Sequence, residues 1–398
     1  MLSSLKIKNF RFYWVGMFIS LVGTWIQTVA QSWLVFQVTH SSFLLGLVGF
    51  LGAMPIFLFS LFAGVVADRV NKKSILLLTQ NAFMVLAFIL AVLTQRQLIT
   101  TWQIIVIALL NGAVMAFDAP ARQSMVVELV GKTHLLNAIA LNSAAFNAAR
   151  IVGPAVAGIL IASIGMSGCF YLNGISFLAV IVALFFIQVK STAPRDRHAD
   201  VRRDLAQGLA FIRNNRLILM LIVIVGVTSL FGISYIILMP IFAEQVLKVG
   251  VKGLGMLMSA SGAGALAAAL FLASLGDFKH KGKLLVVSSF IFSASLLIFA
   301  SSKTYLFSLA ALLCIGWSSV TLTSLINTLL QTHVPDEFRG RIMSAFMFTF
   351  AGMMPFGNLS AGVLAHLWGV AWAVAFGGIC CGLFFTFIYI RYPEIRNA

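Results

Sequence analysis

Polar side chains recur at helical spacing inside otherwise apolar stretches of this sequence. Thr24, Gln27 and Gln31 follow the i, i+3, i+7 spacing of one helical face, and Thr321 and Ser324 belong to a second stripe of hydroxyl groups. Lipid cannot satisfy the hydrogen bonds of an amide, so the face with the two glutamines must look towards protein or water. Such faces either line a cavity that binds a small molecule or hydrogen-bond to neighbouring helices.

Arg150 is a cation placed deep inside an apolar stretch, on the same helical face as Asn147. A charge that faces lipid at mid-bilayer costs about 3–17 kcal/mol, so this guanidinium must meet a cavity or a partner. One interpretation is an anion site in which Arg150 and Asn147 share a bound oxyanion. The other is a structural clamp on backbone carbonyls.

The residue pattern gives no support to enzymatic or ATP-driven chemistry. Gly131-Lys132-Thr133 resembles the end of a phosphate-binding loop, but that loop needs glycine at the position occupied by Val126. The histidines are scattered without metal-ligand spacing, and the cysteines fall inside apolar stretches, where they are typical packing residues. We therefore predict that the chain is not an enzyme and carries no cofactor or metal.

The elements that must position these polar residues are membrane helices. Of the 398 residues, 61% are hydrophobic and 10% are charged, whereas soluble domains carry about 25% charged residues. Apolar segments of about 20 residues, long enough for a helix to cross the hydrocarbon, recur along the whole chain. The predicted fold is an all-α membrane protein with twelve transmembrane helices, near 12–36, 43–67, 74–95, 102–121, 136–163, 168–189, 217–246, 253–276, 284–302, 304–330, 341–367 and 370–390.

The basic excess indicates the orientation of these helices. The formal net charge is +16, and most lysines and arginines fall in loops on the side that holds both termini. Because basic loops stay in the cytoplasm, both termini are predicted to be cytoplasmic. The same distribution argues against a nucleic-acid partner, since the basic residues are not gathered on a soluble face.

The longest polar stretch divides the predicted helices six and six. Within it Val201, Leu205, Leu209 and Ile212 recur at helical spacing, which predicts an amphipathic strut along the membrane interface. The predicted domains are a first half at 1–189, a cytoplasmic linker at 190–216 and a second half at 217–398.

The two halves look like repeats of each other. Gly64 opens a charged loop after the second helix, and Gly276 opens a similar loop after the eighth. Leu129 and His333 mark a second pair of corresponding loops, and two pairs in register are typical of parallel-repeat transporters.

The loop after the second helix contains Gly64, Asp68, Arg69, Lys72 and Lys73. It resembles the Gly-x-x-x-Asp-Arg-x-Gly-Arg-Lys loop of the major facilitator superfamily, both in residues and in place. Asn71 stands where glycine is usual, and since asparagine tolerates left-handed backbone angles the turn is expected to survive. The resemblance implies a transporter with two pseudo-symmetric six-helix halves.

Further matches resemble the drug-exporter and siderophore-exporter branch, to which enterobactin exporters belong. In the fifth helix Gly153, Pro154 and Gly158 resemble the Gly-Pro motif of facilitator exporters, where proline bends a helix and glycine permits close approach. Ordinary tight packing is the alternative. The other matches are Asp118-Ala-Pro120-Ala-Arg122-Gln123, Pro240-Ile-Phe-Ala-Glu244 and Pro335-Asp336-Glu337-Phe-Arg339-Gly340-Arg341.

The resemblance also implies a cytoplasmic gate. Asp68 would lie at the N-terminus of the eleventh helix, where a carboxylate is favoured, while a cation of the same loop would pair with Asp118. These contacts would close the gate in one state and break in the other; the alternative is that the charges only set topology. The predicted gate residues are Gly64, Asp68, Arg69, Lys72, Lys73, Asp118 and Arg122.

The same resemblance implies a central cavity lined by the first, fourth, seventh and tenth helices. We find no acidic residue at the predicted depth of Arg150, so proton coupling is an expectation from the family, with Asp118 or Glu128 as available carboxylates. The predicted substrate residues are Thr24, Gln27, Gln31, Asn147, Arg150, Thr321 and Ser324.

Together these features predict a secondary active transporter of the bacterial inner membrane that exports amphipathic drugs or metabolites by alternating access. An anionic siderophore or a lysolipid is the alternative cargo. A channel is the alternative class, against which the repeats and the gate loop argue. The expected partners are the lipid bilayer, a small-molecule substrate and protons, and the chain is expected to be a monomer.

Overall fold

The computed structural model describes residues 3–187, 201–276 and 278–397, and every long element among them is a helix. A short 3₁₀ turn, Ser3–Lys6, precedes the first of these helices. The helices are α1 Lys8–Thr39, α2 Ser42–Arg69, α3 Lys72–Gln95, α4 Thr101–Phe186, α5 Val201–Asn214, α6 Arg216–Val227, α7 Tyr235–Ile241, α8 Gly250–Leu275, α9 Lys281–Ser301, α10 Tyr305–His333, α11 Asp336–Trp368, α12 Val370–Arg391 and α13 Glu394–Asn397.

Two glycines divide the 86-residue α4 into three segments. Gly131 has φ 64° and Gly165 has φ 74°, which lie in the left-handed region that glycine adopts without steric cost. The segments are 101–130, 132–164 and 166–186, and we call them the first, second and third segments of α4.

The predicted number of membrane crossings is confirmed for the described part of the chain. Eleven stretches are long and apolar enough to span a membrane, and one of them, Thr133–Phe186, has 54 residues. A helix of that length would be about 80 Å long, far more than the hydrocarbon thickness of about 30 Å. Its break at Gly165 therefore separates two crossings, which makes twelve.

The chain divides into two compact units, described here separately. Unit 1 comprises 3–40, 51–187 and 249–259, and unit 2 comprises 41–50, 201–248, 260–276 and 278–397. The core of unit 1 includes the fully buried Phe10 and Leu184. In unit 2, Phe242 stacks on Phe299 with ring centroids 4.3 Å apart.

Each unit contains a pair of glycines, at equivalent places, where two helix backbones touch. In unit 1, a Cβ on Gly112 of α4 would overlap the carbonyl oxygen of Gly52 in α2. In unit 2, Gly264 of α8 and Gly316 of α10 each lie against a carbonyl of the other helix. Gly52 precedes Gly64 by the same number of residues as Gly264 precedes Gly276, so the contacts occupy equivalent places in the repeat.

Helix α5 packs on the start of α11 within unit 2. Phe211 stacks on Phe338 with centroids 4.5 Å apart, and Arg341 donates to the side chain of Gln207 at 2.9 Å. Ile212 is buried, whereas Leu209 is exposed. The predicted strut helix is thus present; the side chains of Val201 and Leu205 and the linker residues 188–200 lie outside the described part.

Asn71 holds the start of α3 in a different way from the one expected. Its φ is −60° and its ψ is 118°, so it does not use the left-handed region. Instead its side-chain oxygen accepts from the backbone N–H groups of Lys73 at 2.9 Å and Ser74 at 3.4 Å, as an N-cap does.

This N-cap leads to a prediction for Asn71. We expect Asn71→Ala to lower the free energy of unfolding by about 1 kcal/mol, and Asn71→Gly by only a few tenths, because glycine is a tolerated N-cap and alanine is not. Thermal unfolding of the two purified variants in one detergent measures the difference. Equal losses would show that the cap does not stabilise the helix.

Candidate functional site

A buried polar cluster in unit 1 surrounds Asp118 in the first segment of α4. Its carboxylate has no exposed surface. One oxygen accepts from Thr79 Oγ1 at 2.8 Å and from Gln80 Nε2 at 2.7 Å, both on α3. The other oxygen accepts from Arg122 Nε at 2.9 Å and also from its Nη2. Four donors thus surround one carboxylate, which is the pattern that lets a buried charge persist.

Arg122 connects this cluster to α1. Its side chain is 22% exposed, and its remaining nitrogen, Nη1, lies 3.0 Å from the sulfur of Met17. Tyr13 is fully buried and lies within electrostatic range of both Asp118 and Arg122. One turn of α1 and one turn of α4 therefore meet around a single ion pair.

A cavity of about 190 Å³ lies beside Arg122 within unit 1. Its polar groups come from α1 and the first two segments of α4, and its walls are otherwise aromatic or aliphatic. We call it the Trp14 cavity. It is lined by Tyr13, Trp14, Met17, Leu21, Arg122, Gln123, Asn142, Ala145 and Phe146.

The predicted gate residues are only partly brought together. Lys72 Nζ lies 3.0 Å from Glu128 Oε1, and Lys73 Nζ donates to the backbone carbonyl of Ile187 at 2.9 Å. Arg122, four residues away on the same helix, occupies the carboxylate of Asp118, and the pairing of Asp118 with a cation of this loop stays a prediction. Helical geometry makes this i, i+4 pair closer than any loop partner.

The other members of the predicted gate give less information. Arg69 is exposed, and a Cβ on Gly64 would meet no atom within 4 Å. The side chain of Asp68 lies outside the described part, so its place at the start of α11 stays a prediction.

The glutamine face of α1 forms hydrogen bonds inside unit 1. Gln27 is buried and its Oε1 accepts from Asn173 Nδ2 at 2.6 Å. The hydroxyl of Thr24 donates to the carbonyl of Ser20 at 2.8 Å, and Gln31 is half-buried. For Gln27 the structure shows the interhelical hydrogen bond that was the alternative to cavity lining.

The pair Asn147 and Arg150 lies in the second segment of α4. Asn147 Nδ2 donates to the carbonyl of Ser143 at 2.8 Å, so one N–H of its amide is used by its own helix. Arg150 is half-buried and interacts with other parts of the protein. A shared oxyanion between the two stays a prediction.

In unit 2, the hydroxyl stripe of α10 also bonds to its own helix. Thr321 is fully buried and donates to the carbonyl of Trp317 at 2.8 Å. Ser324 is half-buried, and its carbonyl accepts from Thr328 at 2.9 Å. Neither observation tests the predicted role of this stripe in substrate binding.

The Gly-Pro motif lies in close contact with neighbouring helices. A Cβ on Gly153 would overlap Trp25 of α1, and the Pro154 carbonyl lies where a Cβ on Gly255 of α8 would stand. A Cβ on Gly158 would come within 3.0 Å of the Val251 carbonyl. These glycines are therefore required for packing, whatever further role the motif has.

Sequence reasoning missed several residues of this site. Thr79 and Gln80 were not singled out, although two adjacent polar residues in the apolar α3 were a visible signal. The i, i+4 spacing of Asp118 and Arg122 was a second signal. Tyr13 and Trp14 offered none, because aromatic residues near a helix end are common in membrane proteins.

Comparisons with known proteins agree with this architecture. The family model described as a transmembrane secretion effector, one of the major facilitator families, matches residues 1–397. The chain is 26% identical to a staphyloferrin A transporter from Staphylococcus aureus, over 95% of this chain and 96% of the relative. It is 24% identical to an enterobactin exporter from Escherichia coli, over 84% and 79% of the two chains. It is also 23% identical to the multidrug efflux pump Tap from Mycolicibacterium fortuitum, over 87% of each.

Solved structures share the fold at low sequence identity. A POT family transporter in complex with 5-aminolevulinic acid matches with a TM-score of 0.78 at 12% identity, over 98% of this chain and 96% of that one. A bacterial homologue of the human lysosomal transporter Spinster, inward-facing and unoccupied, matches with a TM-score of 0.74 at 11% identity, over 98% and 95%. The helix arrangement and the family match lead to one conclusion. The chain is a multi-pass membrane protein that belongs to the transmembrane secretion effector family of the major facilitator superfamily.

Proposed function

We propose that this protein exports small amphipathic molecules across the bacterial inner membrane by alternating access, with protons as the driving ions. The observation that carries the proposal is the buried Asp118–Arg122 pair, which borders the Trp14 cavity. Relatives named as an enterobactin exporter and as a multidrug efflux pump support the direction of transport. The repeat halves 1–189 and 217–398, joined by the linker 190–216, are the proposed moving parts.

Asp118 is the proposed proton site. When it is ionised, two of its contacts fix the Arg122 guanidinium so that Nη1 points towards Met17, at the wall of the cavity. A proton on Asp118 would remove the negative charge that holds the Arg122 guanidinium. Arg122 Nη1 would then leave the cavity wall. Proton and cargo would then occupy the site in turn, as exchange requires.

The second candidate cargo is an anionic siderophore. Two relatives are named for siderophores, a staphyloferrin A transporter and an enterobactin exporter. The fixed guanidinium of Arg122 is suited to such a cargo, because arginine binds oxyanions with two donors at once.

Everted membrane vesicles from a strain without its own exporters test this function. Respiration acidifies the lumen of such vesicles, so an exporter that exchanges protons for cargo should accumulate cargo inside. Labelled staphyloferrin A, enterobactin and a macrolide serve as probes. We expect at least one probe to accumulate several-fold above vesicles without the protein, and an uncoupler to abolish the accumulation. A tag after residue 398 should be cleaved by added protease, which checks the proposed cytoplasmic terminus.

Two acidic residues of α4 provide a matched pair of variants for the coupling. Asp118→Asn should make accumulation independent of the proton gradient, whereas Glu128→Gln should keep that dependence. No accumulation of any probe would contradict export of these classes. Accumulation that continues with ATP and an uncoupler would contradict proton coupling.

A further inference from the structure

Two residues that line the Trp14 cavity carry hydrogen-bond donors that the protein does not satisfy. Among the described residues, Tyr13 Oη and Trp14 Nε1 are buried and have no hydrogen-bond partner. An indole N–H can only donate, so Trp14 needs an acceptor. A buried donor without an acceptor is unfavourable, and a bound acceptor would remove that cost.

Arg122 adds a charged donor to the same cavity. Asp118 takes its Nε and Nη2, which leaves Nη1 with the thioether of Met17 as its acceptor. A thioether is a weak acceptor. An oxyanion at this place would form a much stronger, charge-assisted hydrogen bond.

The walls of the cavity suit a single aromatic ring. Trp14 stacks on Phe18 with centroids 5.9 Å apart and planes 6° from parallel, which fixes the orientation of the indole. Phe146 meets Trp25 edge to face at 6.0 Å. The volume of about 190 Å³ is below the ~300–1,000 Å³ of pockets that enclose whole drug-sized ligands. The space therefore fits one part of a larger molecule.

We infer that the Trp14 cavity is a subsite for an aromatic acid, that is, one ring carrying a carboxylate or a comparable oxyanion. The ring would pack between Trp14 and Phe146, while Arg122 Nη1 and Trp14 Nε1 donate to the oxyanion. A cation of the same shape would be repelled by Arg122. The inference rests on the proposed export function for the transport of the bound molecule, but binding itself can be measured without transport.

Three small molecules that share one phenol ring test the subsite: salicylate, salicyl alcohol and 2-hydroxybenzylamine. The purified full chain, labelled with 5-fluorotryptophan, is titrated in detergent and followed by ¹⁹F NMR. The resonance that is missing from Trp14→Phe belongs to Trp14. We expect salicylate to shift this resonance saturably, and the alcohol and the amine to bind at least about tenfold more weakly, as loss of a charge-assisted hydrogen bond predicts.

Variants separate the subsite from general binding. Binding followed through saturation-transfer NMR of the ligand should weaken by about tenfold in Trp14→Phe and by a few-fold in Tyr13→Phe. Trp102→Phe is the control, because Trp102 is an exposed residue at the start of α4 and should leave the affinity unchanged. If Trp14→Phe does not fold, the affinities of the unmodified chain for the acid, the alcohol and the amine still test the subsite.

Two results would overturn the subsite. One is saturable salicylate binding that leaves the Trp14 resonance in place; the other is equal affinity for the acid, the alcohol and the amine. A protein that binds salicylate at Trp14 but accumulates no probe in vesicles would retain the subsite and lose the export function. Accumulation of a probe without salicylate binding would support the export function and overturn the subsite.

Discussion

Replacing Arg122 with glutamine is expected to destabilise the protein by about 3–5 kcal/mol, the cost of leaving a buried charge without its partner. Asp118 would keep Thr79 and Gln80, which are neutral donors, and would have no exposed surface through which water could help. Asp118→Asn should cost less, about 1.5–3 kcal/mol, because Arg122 is 22% exposed and keeps some hydration. Thermal unfolding of the purified variants in one detergent ranks the losses.

The double variant Asp118→Asn/Arg122→Gln sharpens this test. It leaves no unpaired charge, so it should be more stable than Arg122→Gln alone. Arg339→Gln is the control, since the pair of Arg339 and Asp336 lies at the surface with side chains 47% and 87% exposed and should contribute less than about 1 kcal/mol. If the two single losses simply add in the double variant, Asp118 and Arg122 are not energetically coupled.

Gly316→Ala is expected to cost about 3 kcal/mol, at the upper end of the range for overpacking a well-packed interior. The added methyl group would overlap the backbone carbonyl of Ser261 in α8. Unlike a side chain, a helix backbone cannot rotate away, so α8 and α10 would have to separate. The yield of monodisperse protein after extraction and the melting temperature both report this loss.

Gly112→Ala should behave like Gly316→Ala, because its methyl group would overlap the Gly52 carbonyl in the same manner. Gly340→Ala is the matched control: no atom lies within 4 Å of its Cβ position, and alanine favours a helix over glycine by about 1 kcal/mol. A stable Gly316→Ala variant would mean that the two helices are not in backbone contact.

The positions of the helices were largely predictable, because hydrocarbon demands long apolar segments whatever their neighbours are. The last long helix was predicted at 370–390 and is Val370–Arg391. The fourth was predicted to end at 121 but continues to 130. The predicted span leaves Arg122 outside the helix, whereas in the structure Asp118 on the same helix neutralises Arg122 and allows the helix to continue.

The contacts of the candidate site were much less predictable. That Asp118 would meet Thr79 and Gln80 depends on the rotation of α3 against α4, which no spacing along either helix determines. The same holds for Trp14, since an aromatic residue that borders a cavity and one that fills a core look alike in sequence. For Gln27, the polar face predicts that the side chain makes a contact, but the sequence does not indicate that Asn173 is its partner.

The break at Gly131 joins the α4 segment that carries the Asp118–Arg122 pair to the α4 segment that also lines the Trp14 cavity. Only this residue separates the first α4 segment, which carries Arg122, from the second, which carries Asn142 and Phe146. Two residues of chain reach at most about 7 Å, so the distance between residues 130 and 132 cannot exceed that value. If the end of the first segment moved, the second segment would therefore have to move with it. Movement at this joint would then change the width of the cavity.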